Sequence, residues 1–95
     1  MYYSKKQYKL IGFEKSKRKN KKYNAIIENK QTHKQIRIPF GSIFHENYHD
    51  KTGLNLYPNL LHHDKERRKR YRARAKNKVK PGYFSASWFA FTYLW

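Results

Sequence analysis

Two adjoining stretches of opposite character constrain this chain more than any other feature of its 95 residues. The run His62-His63-Asp64-Lys65-Glu66-Arg67-Arg68-Lys69-Arg70-Tyr71-Arg72-Ala73-Arg74-Ala75-Lys76 is strongly cationic. The end that follows, Tyr83-Phe84-Ser85-Ala86-Ser87-Trp88-Phe89-Ala90-Phe91-Thr92-Tyr93-Leu94-Trp95, is rich in large aromatics. One half seeks anions and the other must be buried. A chain so divided is expected to bind or assemble with something else and not to act as an enzyme.

The charge balance strengthens that expectation. With 23 Lys+Arg against 6 Asp+Glu the formal charge is +17, and self-repulsion of that size opposes a compact state unless a polyanion or an acidic protein neutralises it. Nucleic acid is the first candidate counter-charge and an acidic protein surface the second. A domain of this length buries only about 60–70% of the surface its unfolded chain exposes, so stability is marginal if it works alone. The absence of cysteine removes disulfides, thiolate zinc sites and thiol catalysis. No apolar run of signal-peptide length follows Met1, and the aromatic end, broken by Ser85, Ser87 and Thr92, is too short to cross about 30 Å of hydrocarbon. The expectation is a soluble, unexported chain with no membrane partner.

Residues 1–95 read as a single small domain of α+β class, a three-stranded antiparallel sheet followed by a basic helix and a short aromatic C-terminal helix. Residues 1–40 are the β-rich part. Tyr8 to Phe13 and Tyr23 to Glu28 read as strands, and Ile36, Ile38 and Phe40 alternate with Gln35, Arg37 and Pro39 at the period of a third, half-buried one. Pro39 puts that strand's end at an edge. Between the first two strands Lys15-Ser16-Lys17-Arg18-Lys19-Asn20-Lys21-Lys22 is too densely charged to bury, and Lys17, Arg18, Lys19, Lys21 and Lys22 are candidate phosphate contacts on an exposed loop. A merely solvated loop is the equal alternative, since the run has no aromatic for stacking.

Residues 41–61 form an irregular connector, punctuated by Gly41, Gly53, Pro58 and Asn59, whose Ile43, Phe44, Leu54, Leu56 and Leu60 are expected to cover the open sheet. Residues 62–80 hold the basic helix, from about Lys65 to Asn77, with Asp64 as N-cap and Glu66 in the first turn. Arg67, Arg68, Arg70, Arg72 and Arg74 cover most of its circumference, leaving Tyr71 and Ala75 as a narrow apolar seam. Arginine forks match phosphate and carboxylate bidentately, so these five with Lys76 are candidate contacts for nucleic acid or an acidic partner. A solvated helix with Tyr71 packed inward is the alternative. In residues 81–95, Phe84, Trp88, Phe91 and Trp95 fall at i, i+4, i+7 and i+11, one helical stripe that Ser85 could cap. The stripe serves either as a partner anchor or as the chain's own core.

His45-Glu46-Asn47-Tyr48-His49 matches the H-E-x-x-H zinc-protease pattern, which on a helix puts two imidazoles on one face and a glutamate beside the metal-bound water. Its context, a stretch between Gly41 and Gly53 with little helical amphipathicity, favours chance. No nucleophile triad or Gly-rich phosphate loop is present, so no catalytic residue, metal, cofactor or small-molecule substrate is expected.

From Ile38 onward the order of signals resembles a family of small, basic, uncharacterised proteins of large DNA viruses and tailed phages. The resemblance rests on Ile38-Pro39-Phe40-Gly41, Tyr48-x-Asp50-Lys51-Thr52-Gly53, the helix from His63 to Arg74, Gly82-Tyr83-Phe84-Ser85 and Tyr93-Leu94-Trp95. Ala75 stands where that pattern often carries histidine. The resemblance implies a viral origin and a place in the virion, with host cytoplasm as the site of assembly. The resulting expectation is a virion structural protein, a minor capsid component that docks on capsid or other virion proteins through its aromatics and sets its basic surface against them or against packaged DNA. A freestanding nucleic-acid-binding protein and a small ribosomal protein are the alternatives.

Overall fold

The computed structural model describes residues 2–95 and has the expected α+β architecture. A two-residue strand β1 (Tyr3–Ser4) precedes β2 (Tyr8–Lys15), β3 (Lys21–Asn29) and β4 (Gln35–Ser42), which form an antiparallel sheet in the order β2-β3-β4. Helix α1 spans Lys65–Ala75 and continues as a 3-10 turn over Lys76–Lys78. Strand β5 (Tyr83–Phe84) pairs back with β1, an addition too short for any sequence pattern to announce. Helix α2 (Ala86–Phe89) then runs into one π-helical turn, Ala90–Leu94.

One face of the sheet makes the core, and a bulge in β2 sets its register. Leu10 pairs with Ile27 and Gly12 with Ile26, so Ile11 is the extra residue and is left exposed. That insertion turns Phe13 toward the core, where unbroken alternation from Leu10 would have pointed Glu14 inward. Glu14 instead faces out and takes the Arg37 Nε at 3.1 Å and the Asn24 amide at 2.9 Å. These two donors hold its carboxyl below the usual range, the Asn24 bond first. Pro39 lies in β4, an edge strand, where a missing N–H costs no ladder bond.

The aromatic end closes the inner face. Phe84, Phe89, Leu94 and Trp95 join Tyr23, Ala25, Ile27, Ile38 and Phe40 in one buried cluster, with Phe89 stacked on Phe84 at 5.5 Å and tilted against Phe40 at 5.6 Å. Ser85 caps α2 as expected, accepting from the Trp88 N–H at 3.1 Å. The expected single stripe is not what forms. Phe84 belongs to β5, and the π turn shifts the inward positions to Phe89 and Leu94, leaving Trp88 and Phe91 half-buried.

The connector covers less of the sheet than expected. Leu54 packs against the core, but Phe44 is 71% and Leu56 46% exposed, and Ile43 and Leu60 lie half-buried outside the cluster. Polar contacts hold the connector in place instead. The buried Tyr23 hydroxyl donates to the Asp50 carboxylate and accepts the Leu56 N–H at 3.1 Å. Burial and the nearby carboxylate raise the pKa of that phenol to about 12. Among the described residues no helix is long and apolar enough to cross a membrane.

Candidate functional site

The arginines of α1 divide into two sets with different work. Asp64 caps the helix as expected, accepting from the N–H groups of Glu66 at 2.9 Å and Arg67 at 3.3 Å, and this fixes the rotation of every later residue. Arg68, Tyr71, Arg72 and Ala75 follow at i, i+3, i+4 and i+7 and face the protein. Arg68 Nε donates to the Trp95 backbone oxygen at 2.7 Å, and Arg72 reaches the Phe91 carbonyl at 3.3 Å while its guanidinium lies over the Phe91 ring at 4.0 Å. The carbonyls that end the π turn carry partial negative charge and have no intrahelical donor, which is why cations serve there. The connector supplies the remaining donors: the Tyr48 and His49 N–H groups bond to the Leu94 carbonyl and that of Lys51 to the Tyr93 carbonyl.

Arg68 and Arg72, expected among the contacts for an external anion, are therefore engaged inside the chain. Lys22 is a second correction. It was expected on an exposed loop, but β3 begins at Lys21, and the connector folds over the strand's end. Lys22 is only 1% exposed, and its ammonium donates to the His45 carbonyl at 2.9 Å and to the Asn47 side-chain oxygen. Burial lowers its pKa, opposed by the carboxylates of Asp50 and Glu46.

The aromatic anchor needs the same revision. Phe84 and Trp95 are buried in the chain's own core, Trp88 lies beneath the Lys5 ammonium at 4.0 Å, and Phe91 beneath Arg72. Phe84 and Trp95 thus offer no open face to a partner, while Trp88 and Phe91 remain half-buried.

Arg67, Arg70 and Arg74 are exposed and turn toward a groove between α1 and the connector. Its volume is about 700 Å³, and Ser42, His45, Glu46, Tyr71 and Trp95 also line it. A second hollow of about 490 Å³ adds Lys21 and Lys78. The two share Gly41, Tyr71, Arg74 and Ala90, so they form one continuous trough. Lys21 arrives from the other basic run, more than fifty positions earlier in sequence, and faces the last turns of the basic helix. Glu46 is the acid among the lining residues, and it pairs with Arg67 at 3.1 Å.

Lys17, Arg18 and Lys19 are exposed on the loop between β2 and β3, while Lys76 is exposed but does not line the trough. Lys78 was missed because the expected helix stopped at Asn77. Arg67, Arg70, Arg74 and Lys78 nonetheless continue one helical row, a signal the sequence carried. The facing residues Lys21, Ser42 and Glu46 could not be placed there without the tertiary structure.

The H-E-x-x-H residues lie in bends and irregular backbone around a lone bridge, not on a helix, and Asn47 pairs with Leu61 there. Glu46 is held by Arg67, and among the described residues no group of three or more His, Cys, Asp or Glu side chains is arranged to hold a metal ion. The site's chemistry is thus that of guanidinium and ammonium donors along a concave surface, suited to phosphate or carboxylate oxygens. Compared with protein-family models, curated proteins and solved structures, the chain finds no match in any of the three.

Proposed function

We propose that this chain binds the phosphate backbone of nucleic acid along the trough, without reading sequence. The observation that carries this is the split of the α1 arginines: Arg68 and Arg72 reach part-buried carbonyls of the C-terminal turn, whereas Arg67, paired with Glu46, Arg70, which donates to the exposed Glu66 carbonyl of its own helix, and Arg74 stand exposed together in a groove that Lys21 and Lys78 extend. Phosphate contacts position a protein without specifying bases. A small basic virion component in contact with packaged genome is one protein that such a surface suits. Docking on a capsid protein through the aromatic end is the less favoured reading, because Phe84 and Trp95 are used in the chain's own core.

The test is the salt dependence of DNA binding. Each neutralised phosphate contributes about 0.9 to the slope of log affinity against log salt. Replacing Arg67, Arg70 and Arg74 with glutamine is expected to lower the slope by roughly one per lost contact, evenly across sequences. An unchanged slope would overturn the proposal.

A further inference from the structure

Resting on the polyanion reading, we propose that the occupant of the groove is single-stranded nucleic acid, with phosphates along Arg67, Arg70 and Arg74 and an unpaired base stacked on Phe44. Phe44 is 71% exposed, the most exposed of the large apolar side chains among the described residues, and in sequence it lies between two groove-lining residues, Ser42 and His45, which places it beside the groove and not in its lining. Isolated apolar residues on a surface are ordinary. This one is presented by fixed backbone: the Phe44 N–H donates to the Ser42 hydroxyl at 3.1 Å and the His45 N–H to the Ser42 carbonyl at 3.4 Å.

The other rings at the groove are less open than Phe44. Tyr71 and Trp95 are stacked on each other at 4.2 Å, so each has one face covered, and Trp95 is only 8% exposed. A duplex hides its base faces and would leave Phe44 in water, whereas a single strand offers phosphates and an open π-face together.

Fluorescence anisotropy with labelled oligo-dT, oligo-rU and a mixed-sequence duplex of equal length tests the inference at one salt concentration. Wild-type protein is expected to prefer either single strand over the duplex by at least about tenfold, and Phe44→Ala to weaken single-strand binding roughly five- to 150-fold, the range for loss of one base–aromatic stack. The single-strand preference should shrink by the same factor, with Phe44→Trp restoring it. Tyr2→Ala, which removes an exposed ring that lines a different hollow, with Arg18 and Arg37, should change nothing. Equal weakening for strand and duplex in Phe44→Ala, or no weakening for the strand, overturns the inference and leaves the polyanion reading standing. Wild-type protein that binds neither strand nor duplex overturns both.

Discussion

Tyr71 and Trp95 lie face to face, ring centroids 4.2 Å apart and planes 9° from parallel, and this stack is where the cationic and aromatic halves of the chain are joined. The contact belongs to the floor of the groove and to the protein's core together. Trp95 is 8% exposed, and the His62 ring packs against it at 5.2 Å. Removing an indole from such a setting costs about 3–5 kcal/mol. Trp95→Ala is expected to destabilise by about that much in chemical denaturation and to weaken nucleic-acid binding, because α1 loses its seat. A loss below about 1 kcal/mol would mean that the stack does not hold the helix.

The two arginine sets should separate by assay. Arg68→Gln and Arg72→Gln each remove a charged donor from a partly buried carbonyl, a contribution of about 1.5–3 kcal/mol, and should lower the unfolding midpoint while leaving the salt slope of binding intact. Arg67→Gln, Arg70→Gln and Arg74→Gln should do the reverse, with stability within about 0.5 kcal/mol of wild type. Equal effects of both sets on both assays would show that the division seen in the structure has no functional counterpart.

Glu46 competes with any phosphate for Arg67. The pair is substantially exposed on both sides, so its contribution to folding is about 0.2–1 kcal/mol at most. Glu46→Gln should therefore leave stability nearly unchanged and tighten DNA binding at low salt, an effect that fades as salt screens it. Isothermal titration at two ionic strengths checks this, and weaker binding in the variant would show that Glu46 helps to position the arginine and does not block it.

Much of the fold was legible because local chemistry and tertiary structure agree. The alternation at Ile36, Ile38 and Phe40, the cap at Asp64 and the cap at Ser85 each rest on near neighbours in sequence. Phe13 already stood out of phase with Leu10, and that one-residue slip is the bulge. What sequence could not assign was the use of each cation. Arg68 and Arg67 are adjacent and chemically identical, yet one binds a carbonyl of the chain and the other faces the groove, a difference set by where the π turn leaves its carbonyls. Lys22 looked like loop because charge density predicts exposure, and only the connector, folding back from His45 and Asn47, supplies the oxygens that let an ammonium be buried.

Gly41 is a point where backbone and packing coincide. Its φ is +76°, and a Cβ there would stand 2.9 Å from the Leu94 side chain and 3.5 Å from that of Lys22. Left-handed backbone costs a non-glycine residue about 1–2 kcal/mol before any clash. Gly41→Ala should destabilise by about 2 kcal/mol or more and disturb both the C-terminal turn and the groove that Gly41 helps to line. Wild-type stability in this variant would show that β4 can relax away from Leu94.

Acid should weaken the fold through two histidines held neutral in the interior. Burial lowers the pKa of His49 and of His62 from the ordinary 6.5. Around His49 the charges of Lys51, Arg68, Arg72 and His63 act in the same direction; around His62, Arg67 and His63 add to the effect while Asp64 and Glu46 oppose it. The His62 Nδ1 accepts the Asp64 N–H at 2.9 Å, a bond that protonation of that nitrogen would break. The Nε2 atoms of both rings are buried without a hydrogen-bond partner among the described residues, so an imidazolium there would gain no acceptor to offset its desolvation. The unfolded chain takes up protons at about pH 6.5 and the folded chain resists, so stability is complete above that value and declines as pH falls through the lower folded values. Each histidine can add up to about 1.4 kcal/mol per pH unit within this window. Glu14 and Glu28, whose pKa values lie below 4.5, titrate at lower pH and do not obscure it. Urea denaturation between pH 7.5 and about pH 5 should show a falling midpoint in wild-type protein and a flatter profile in a His49→Asn, His62→Asn double variant. A wild-type midpoint that stays constant across the range would show that both rings reach solvent on protonation and that their burial carries no penalty.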